Sequence, residues 1–357
     1  MKRKILASLL MIIVVLTGCK AQDSFKTVTV PVIDENQFGS VYVDLHEIDL
    51  EYGDSVNLSF SGGYHEEHVP FYPDFYGAKG TTILTDFNNE ISVAGINCNF
   101  NSDAHIQIGE TLTITLDERG RYREDYEAYN LDPDLVKWEG QTDEEFINSR
   151  EITAGNIRPG ILYRGASPFD TTFNRTDLMD RFIRDNNIQF IFDLADDNDK
   201  IRGLEGLPEN TSRMINENRV YGCYFGIDYA DPVSMAAFGE GLKTMMDHEG
   251  PYLIHCSLGR DRTGILCAII EALCGATYDE IVDDYMLSYR DLHHIDMDPS
   301  SLQYNLFKQR LLDKLEEALQ VDQDSIATAD LQSASHDYLI RCGMTEEEVA
   351  RLIDTLT

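Results

Sequence analysis

Pro251-Tyr252-Leu253-Ile254-His255-Cys256-Ser257-Leu258-Gly259-Arg260-Asp261-Arg262-Thr263-Gly264 is the stretch on which the fold of this chain turns. Its opening, Tyr252 to Ile254, is short and wholly apolar, the pattern of a strand buried on both faces. Its end runs into Ile265 to Leu273, an apolar stretch of helical character. Five residues, Ser257, Leu258, Gly259, Arg260 and Asp261, separate Cys256 from Arg262. A loop of that length at the start of a helix curls so that its backbone N–H groups face one centre, at the positive end of the helix dipole. A phosphate-sized anion held there receives those donors, and Arg262 adds a two-pronged fork. Gly259 permits the turn, and Gly264 lets the helix pack closely. The same field favours a thiolate on Cys256, which can then attack phosphorus. His255 reads as ordering the strand-to-loop turn. Thr263 reads as a hydrogen-bond donor to the thiolate that eases its departure.

A histidine, Cys-x5-Arg and a threonine between a strand and a helix resemble the phosphate loop of the protein tyrosine phosphatase superfamily. Further matches extend the resemblance over most of residues 150–357: Tyr163-Arg164-Gly165-Ala166-Ser167 near the start, Asp193-Leu194 at a strand end, and Asp284-Tyr285-Met286-Leu287-Ser288 in a helix behind the loop. The resemblance implies an α/β domain with a central, mostly parallel sheet flanked by helices. It also implies two-step hydrolysis through a phosphocysteine, with no metal and no cofactor. Ala195 stands where this superfamily usually carries an arginine, and Asp196, Asp197 and Asp199 follow it, which argues against polyphosphorylated substrates. Arg260 argues the other way, because a basic residue at that loop position is shared with phosphoinositide phosphatases. Phosphotyrosine in peptides is the leading expected substrate, and a phosphoinositide or inositol phosphate the second. A different class of function is a pseudo-phosphatase that binds phosphorylated ligands without turnover.

A leaving oxygen needs a proton, and two aspartates are candidates to supply it. Asp228 lies in Phe225-Gly226-Ile227-Asp228-Tyr229-Ala230-Asp231-Pro232, ahead of a helical segment leading back to the catalytic strand. Its Asp-x-x-x-Pro form resembles the acid loop of the phytase-like branch, with Asp231 as a turn residue. Asp261 lies inside the loop itself, where repulsion by a bound phosphate raises its pKa and suits it to donate. It matches the aspartate of the Gly-Lys-Asp-Arg-Thr-Gly loop of bacterial tyrosine and lipid phosphatases, which resemblance implies the same role.

Strand-like alternation punctuated by Gly, Asn and Asp fills residues 26–116, at 27–30, 40–43, 55–60, 91–94 and 111–116. That predicts a small all-β domain ahead of the α/β domain. Phe38-Gly39-Ser40-Val41, Tyr52-Gly53-Asp54-Ser55-Val56 and Ile108-Gly109-Glu110-Thr111-Leu112 resemble the C-terminal β domain of the SAM hydroxide adenosyltransferase and fluorinase family. The partner domain of that family's nucleoside site is missing here, so a spacer or docking role is expected. Residues 117–150 read as a charged linker with some helix, packed on one domain or the other, and 151–357 as the phosphatase domain. Helices are expected at 265–273, 278–288, 302–319 and 346–356, the last capped by Thr345.

Lys2, Arg3 and Lys4 precede an apolar run from Ile5 to Leu16, the pattern of an export signal over residues 1–18. It ends on Leu16-Thr17-Gly18-Cys19, which resembles the lipobox of bacterial lipoproteins and implies an acylated Cys19 followed by a short tether, 19–25. The expected location is the cell membrane, lipid-anchored and facing outside the cytoplasm. A formal charge of −34 opposes binding to nucleic acid. Seven cysteines without CxxC spacing give neither a zinc site nor a disulfide framework. His293-His294-Ile295-Asp296 is spaced too loosely for a metal and reads as a solvated loop.

Overall fold

The computed structural model describes residues 27–357 apart from positions 97, 132, 227, 323 and 324, so the signal segment and Cys19 lie outside the described residues. Seven strands come first: β1 (Val28–Glu35), β2 (Val41–Val43), β3 (Ser55–Phe60), β4 (His65–Tyr72), β5 (Thr82–Thr85), β6 (Ser92–Gly95) and β7 (Thr111–Glu118). They close into a barrel in the order β1-β2-β6-β5-β4-β3-β7, with β7 pairing back onto β1 through Val28 opposite Ile114. Closure removes the open edges that a small sheet would otherwise expose. Val30, Val32, Leu112 and Ile114 fill the interior, alternating along β1 and β7 with neighbours nearer solvent, together with Val56, Leu58 and Val93 of β3 and β6. The barrel is mixed, because β4 and β5 run parallel. These two strands escape sequence reading: the first four residues of β4, His65 to His68, are polar and lie toward solvent, so no alternation marks them.

The chain divides into two compact units. One holds the described residues up to Asp74, Thr82–Gly95 and Asn99–Arg123; the other holds Phe75–Thr81, Ile96–Cys98 and Glu124–Thr357. Parts of the expected linker form regular structure. Its beginning belongs to β7, and Asp143–Phe146 forms a helical turn capped by Thr142, whose hydroxyl accepts from Glu145 N while Glu145 reaches back.

In the second unit five strands, β8 (Arg150–Glu151), β9 (Leu162–Gly165), β10 (Phe190–Asp193), β11 (Val220–Gly222) and β12 (Tyr252–His255), form a sheet in the order β11-β10-β12-β9-β8. β9, β12, β10 and β11 are parallel. β8 runs antiparallel to β9 at one edge, so the sheet is mixed rather than uniformly parallel. Every residue of β9, β10 and β12 is buried, as strands covered on both faces must be. Helices Thr176–Asp185 and Glu209–Asn216 supply Met179, Ile183 and Met214 to one face, against Ile191 and Leu253. Helices Pro232–Met246 and Asp261–Leu273 supply Phe238, Leu242, Ile265 and Ile269 to the other, against Phe192 and Ile254. Helix Asp261–Leu273 is buried at every position from Thr263 onward, because helices Tyr278–His293, Leu302–Leu319 and Leu331–Arg341 pack around it. Thr345 caps helix Glu346–Leu356, accepting from Glu348 N. Among the described residues no helix is long and apolar enough to cross a membrane.

Candidate active site

Gly165, His255 and Asp193 lie level across the three central strands, so the segments that follow them gather at one end of the sheet. The loop from Cys256 to Arg262 is suspended there by its carbonyls. Ser167 N donates to Ser257 O at 3.0 Å, Asn148 Nδ2 to Leu258 O at 2.9 Å, and Arg164 Nη2 to Gly259 O at 2.9 Å. Carbonyls tied to groups outside the loop are what a cradle of N–H donors for a tetrahedral anion requires. Gly259 has φ +70°, and a Cβ there would meet Gly165 O at 2.2 Å, so both conformation and space demand glycine. Gly264 has no room for a side chain either: a Cβ would lie 2.8 Å from the Tyr285 ring.

The groups that hold the loop, Asn148 and Arg164, meet a buried ionic group whose members lie far apart in the sequence. Arg164, wholly buried, pairs with Asp284, and Arg150 Nε reaches the other carboxylate oxygen at 2.7 Å. Burial opposes ionisation of Asp284, but the two guanidiniums outweigh it and hold the carboxyl far below its usual range. Glu271, buried beside this group, is pushed well up by burial and by the charge of Asp284. Arg150 also donates to Asn148 Oδ1 at 3.0 Å, so the ion pair aims the amide that holds Leu258. Asn148 falls in the stretch read as a linker, where nothing in the local sequence marked it.

Cys256 is buried at the strand end. Arg262 lies across the loop: Nη1 donates to Leu194 O at 3.1 Å and Phe225 O at 3.4 Å, and Nη2 to Ser257 Oγ at 3.3 Å. His255 is buried with Nδ1 3.2 Å from Cys256 O, and burial pushes its pKa down to about 3, so it is neutral. It sits at the turn between strand and loop. Thr263 Oγ1 is buried and makes no hydrogen bond to the described residues, so the expected contact with the Cys256 sulfur is not made. Asp193 went unremarked as more than a strand end. It is buried with Oδ1 accepting from Ala195 N at 2.7 Å, and burial pushes it up to about 8, making it a neutral acid beside Arg262.

The two acid candidates sit in different surroundings. Asp228 is exposed, and its carboxylate accepts from Ala230 N at 2.9 Å. Its loop touches the site on either side, through Phe225 O on Arg262 and through Tyr229, whose buried ring lies in the field of Asp261, Cys256 and Arg262. Asp231 caps helix Pro232–Met246 by accepting from Ser234 N at 2.8 Å. Asp261 Oδ2 lies 2.9 Å from Arg260 Nη2, and Oδ1 lies 3.5 Å from Arg310 Nη1 and accepts from Tyr289 OH at 3.1 Å. Burial works against ionisation, but Arg260 and Arg310 outweigh it and hold Asp261 well below the usual carboxylate range. The raised value expected from the sequence was for a loop holding phosphate; what spacing could not supply is Arg310, remote in sequence, which with Arg260 sets the opposite direction here. His293, expected in a solvated loop, has Nε2 2.6 Å from Arg260 Nη1.

A sheet of central parallel strands, ending in a suspended Cys-x5-Arg loop at a helix start, defines the class of phosphate-loop α/β proteins. Residues 146–357 match the model described as the tyrosine phosphatase family, and the chain belongs to that family. No curated protein matches it. Among solved structures it is similar to the core catalytic domain of the PP-IP phosphatase SIW14 from S. cerevisiae in complex with citrate, with 17% identity and a TM-score of 0.26 over 44% of this chain and 86% of that one. It is similar to TpbA from P. aeruginosa, with 17% identity and a TM-score of 0.26 over 51% of this chain and 96% of that one. A third similarity is to an uncharacterized conserved protein from Thermotoga maritima, with 15% identity and a TM-score of 0.23 over 25% of this chain, which spans 38% of that protein's length.

Proposed function

We propose that the chain is a cysteine-dependent phosphomonoesterase, with Cys256 as nucleophile, Arg262 as phosphate clamp and the N–H groups of residues 257–262 as the cradle. The observation that carries this reading is the suspension of the loop by Ser167, Asn148 and Arg164, with Arg262 laid across it. In the first step Cys256 Sγ bonds to phosphorus while the ester oxygen leaves with a proton. In the second, water cleaves the thiophosphate and returns the thiolate. For a substrate with a single phosphate, Asp228 is the proposed donor, since Asp261 is engaged by Arg260 and Arg310. Phosphotyrosine in peptides is the first proposed substrate, on the family; a phosphoinositide or inositol phosphate is the second, favoured by Arg260, Arg310 and His293 beside the loop. The test is the soluble protein from Ala21 onward, in EDTA, on phosphotyrosine peptides, phosphoserine peptides, phosphoinositides and inositol hexakisphosphate. Phosphate release from none of them contradicts the proposal.

We further propose an exported protein acylated at Cys19, with the barrel as a spacer or docking module outside the cytoplasm. Cys19→Ser should move the protein out of the membrane fraction or block its processing; unchanged fractionation would rule out the anchor.

A further inference from the structure

Arg260 and Arg310 are steered toward one point from two elements. Arg260 extends from the loop, with its guanidinium 5.3 Å from the centre of the Tyr289 ring and its edges on Asp261 and His293. Arg310 comes from helix Leu302–Leu319, whose Phe307 stacks on Tyr289 with ring centres 4.2 Å apart and so sets the helix against the site. What the two guanidiniums share is the Asp261 carboxylate. In a chain of formal charge −34 this is a local basic spot, and the group that fills it is one of the protein's own acids.

We infer that Arg310, with Arg260, is the subsite for a second phosphate on the substrate, and that this phosphate displaces the Asp261 carboxylate and thereby turns Asp261 into the proton donor. This rests on the phosphatase reading of the same loop. A doubly charged phosphate takes two arginines from a singly charged carboxylate, whereas a peptide carboxylate would exchange like for like; the ligand is therefore a small molecule bearing two phosphates. Left between two phosphates and without its arginines, Asp261 takes one proton from solvent. Its remaining neighbours are Tyr289 and Tyr285 of helix Tyr278–His293 and Tyr229 of the 225–231 loop, none of them cationic; His293 of that helix bonds Arg260. As Cys256 Sγ bonds to phosphorus and the ester P–O bond breaks, that proton passes to the leaving oxygen. Water then adds to phosphorus, the P–S bond breaks to give thiolate and inorganic phosphate, and the water's proton returns to Asp261.

The test compares kcat/KM for myo-inositol 1,4-bisphosphate and myo-inositol 1-phosphate within each of wild type, Arg310→Ala and Arg310→Lys, so that general losses cancel in the ratio. Wild type should favour the bisphosphate by about tenfold or more, Arg310→Ala should bring the ratio near one, and Arg310→Lys, a charge without a fork, should fall between. Calorimetry on Cys256→Ser at pH 7.5, in buffers of different ionisation enthalpy, should show uptake approaching one proton for the bisphosphate and little for the monophosphate. A ratio near one in wild type, a ratio unchanged in Arg310→Ala, or equal proton uptake would overturn the inference. So would a preference confined to phosphotyrosine peptides flanked by glutamate. Hydrolysis of neither ester by wild type also overturns the inference, while the phosphatase reading then stands or falls on phosphotyrosine peptides.

Discussion

Asp193→Asn should make the protein more stable as pH rises from 3.8 to about 8, by an amount that grows across that window and then levels off. Asp193 is wholly buried and pushed up to about 8 by that burial, against 3.8 for an ordinary aspartate. Between those values the folded protein holds a proton that the unfolded chain has released, so stability falls as pH rises through the window. Each pH unit inside it costs about 1.4 kcal/mol. Asparagine keeps the acceptor for Ala195 N and has no charge to bury, so its stability lacks this slope. Variant and wild type should lie close together near pH 4, and the gap should widen by ~4 kcal/mol from pH 5 to pH 8 if Asp193 stays neutral throughout, less if water enters the site. Urea unfolding of the soluble protein at pH 5, 6, 7 and 8 gives the difference directly, because pH effects common to both proteins cancel. A gap that changes by under about 1 kcal/mol across that range refutes the assignment of a neutral Asp193.

Arg262→Lys should reduce kcat/KM by more than tenfold, over about 1.4 kcal/mol of transition-state stabilisation, because lysine carries the charge without the fork; a smaller loss on a phosphotyrosine peptide would count against the clamp. With singly phosphorylated substrates, Asp228→Asn should slow release of tyrosine far more than release of nitrophenolate, which needs little protonation. Asp261→Asn should act evenly on the two, and the opposite pattern would move the acid into the loop.

The strand, loop and helix around Cys256 were legible because their residues are adjacent in sequence and their spacing has one physical use. Gly259 and Gly264 were read from the same spacing, and each proves to have no room for a side chain. Thr345 was legible too, since a capping box is local. What spacing could not supply is anything that depends on a remote partner. Asn148 and Arg150 looked like linker because the carbonyl and carboxylate they serve, Leu258 and Asp284, lie more than a hundred residues away. Arg310 escaped for the same reason: the loop places a bound phosphate beside Asp261, but only the packing of Phe307 on Tyr289 brings Arg310 there. β4 was missed because polar residues at His65 to His68 hide a strand whose second half is buried.

The most direct test of the account is single-turnover chemistry at Cys256. Wild type, mixed with a radiolabelled phosphomonoester and quenched in acid, should carry label on Cys256 as a thiophosphate, found by peptide mapping. Cys256→Ser should bind phosphate but give neither label nor turnover. Turnover by Cys256→Ser near the wild-type rate, or label on another residue, would contradict the mechanism.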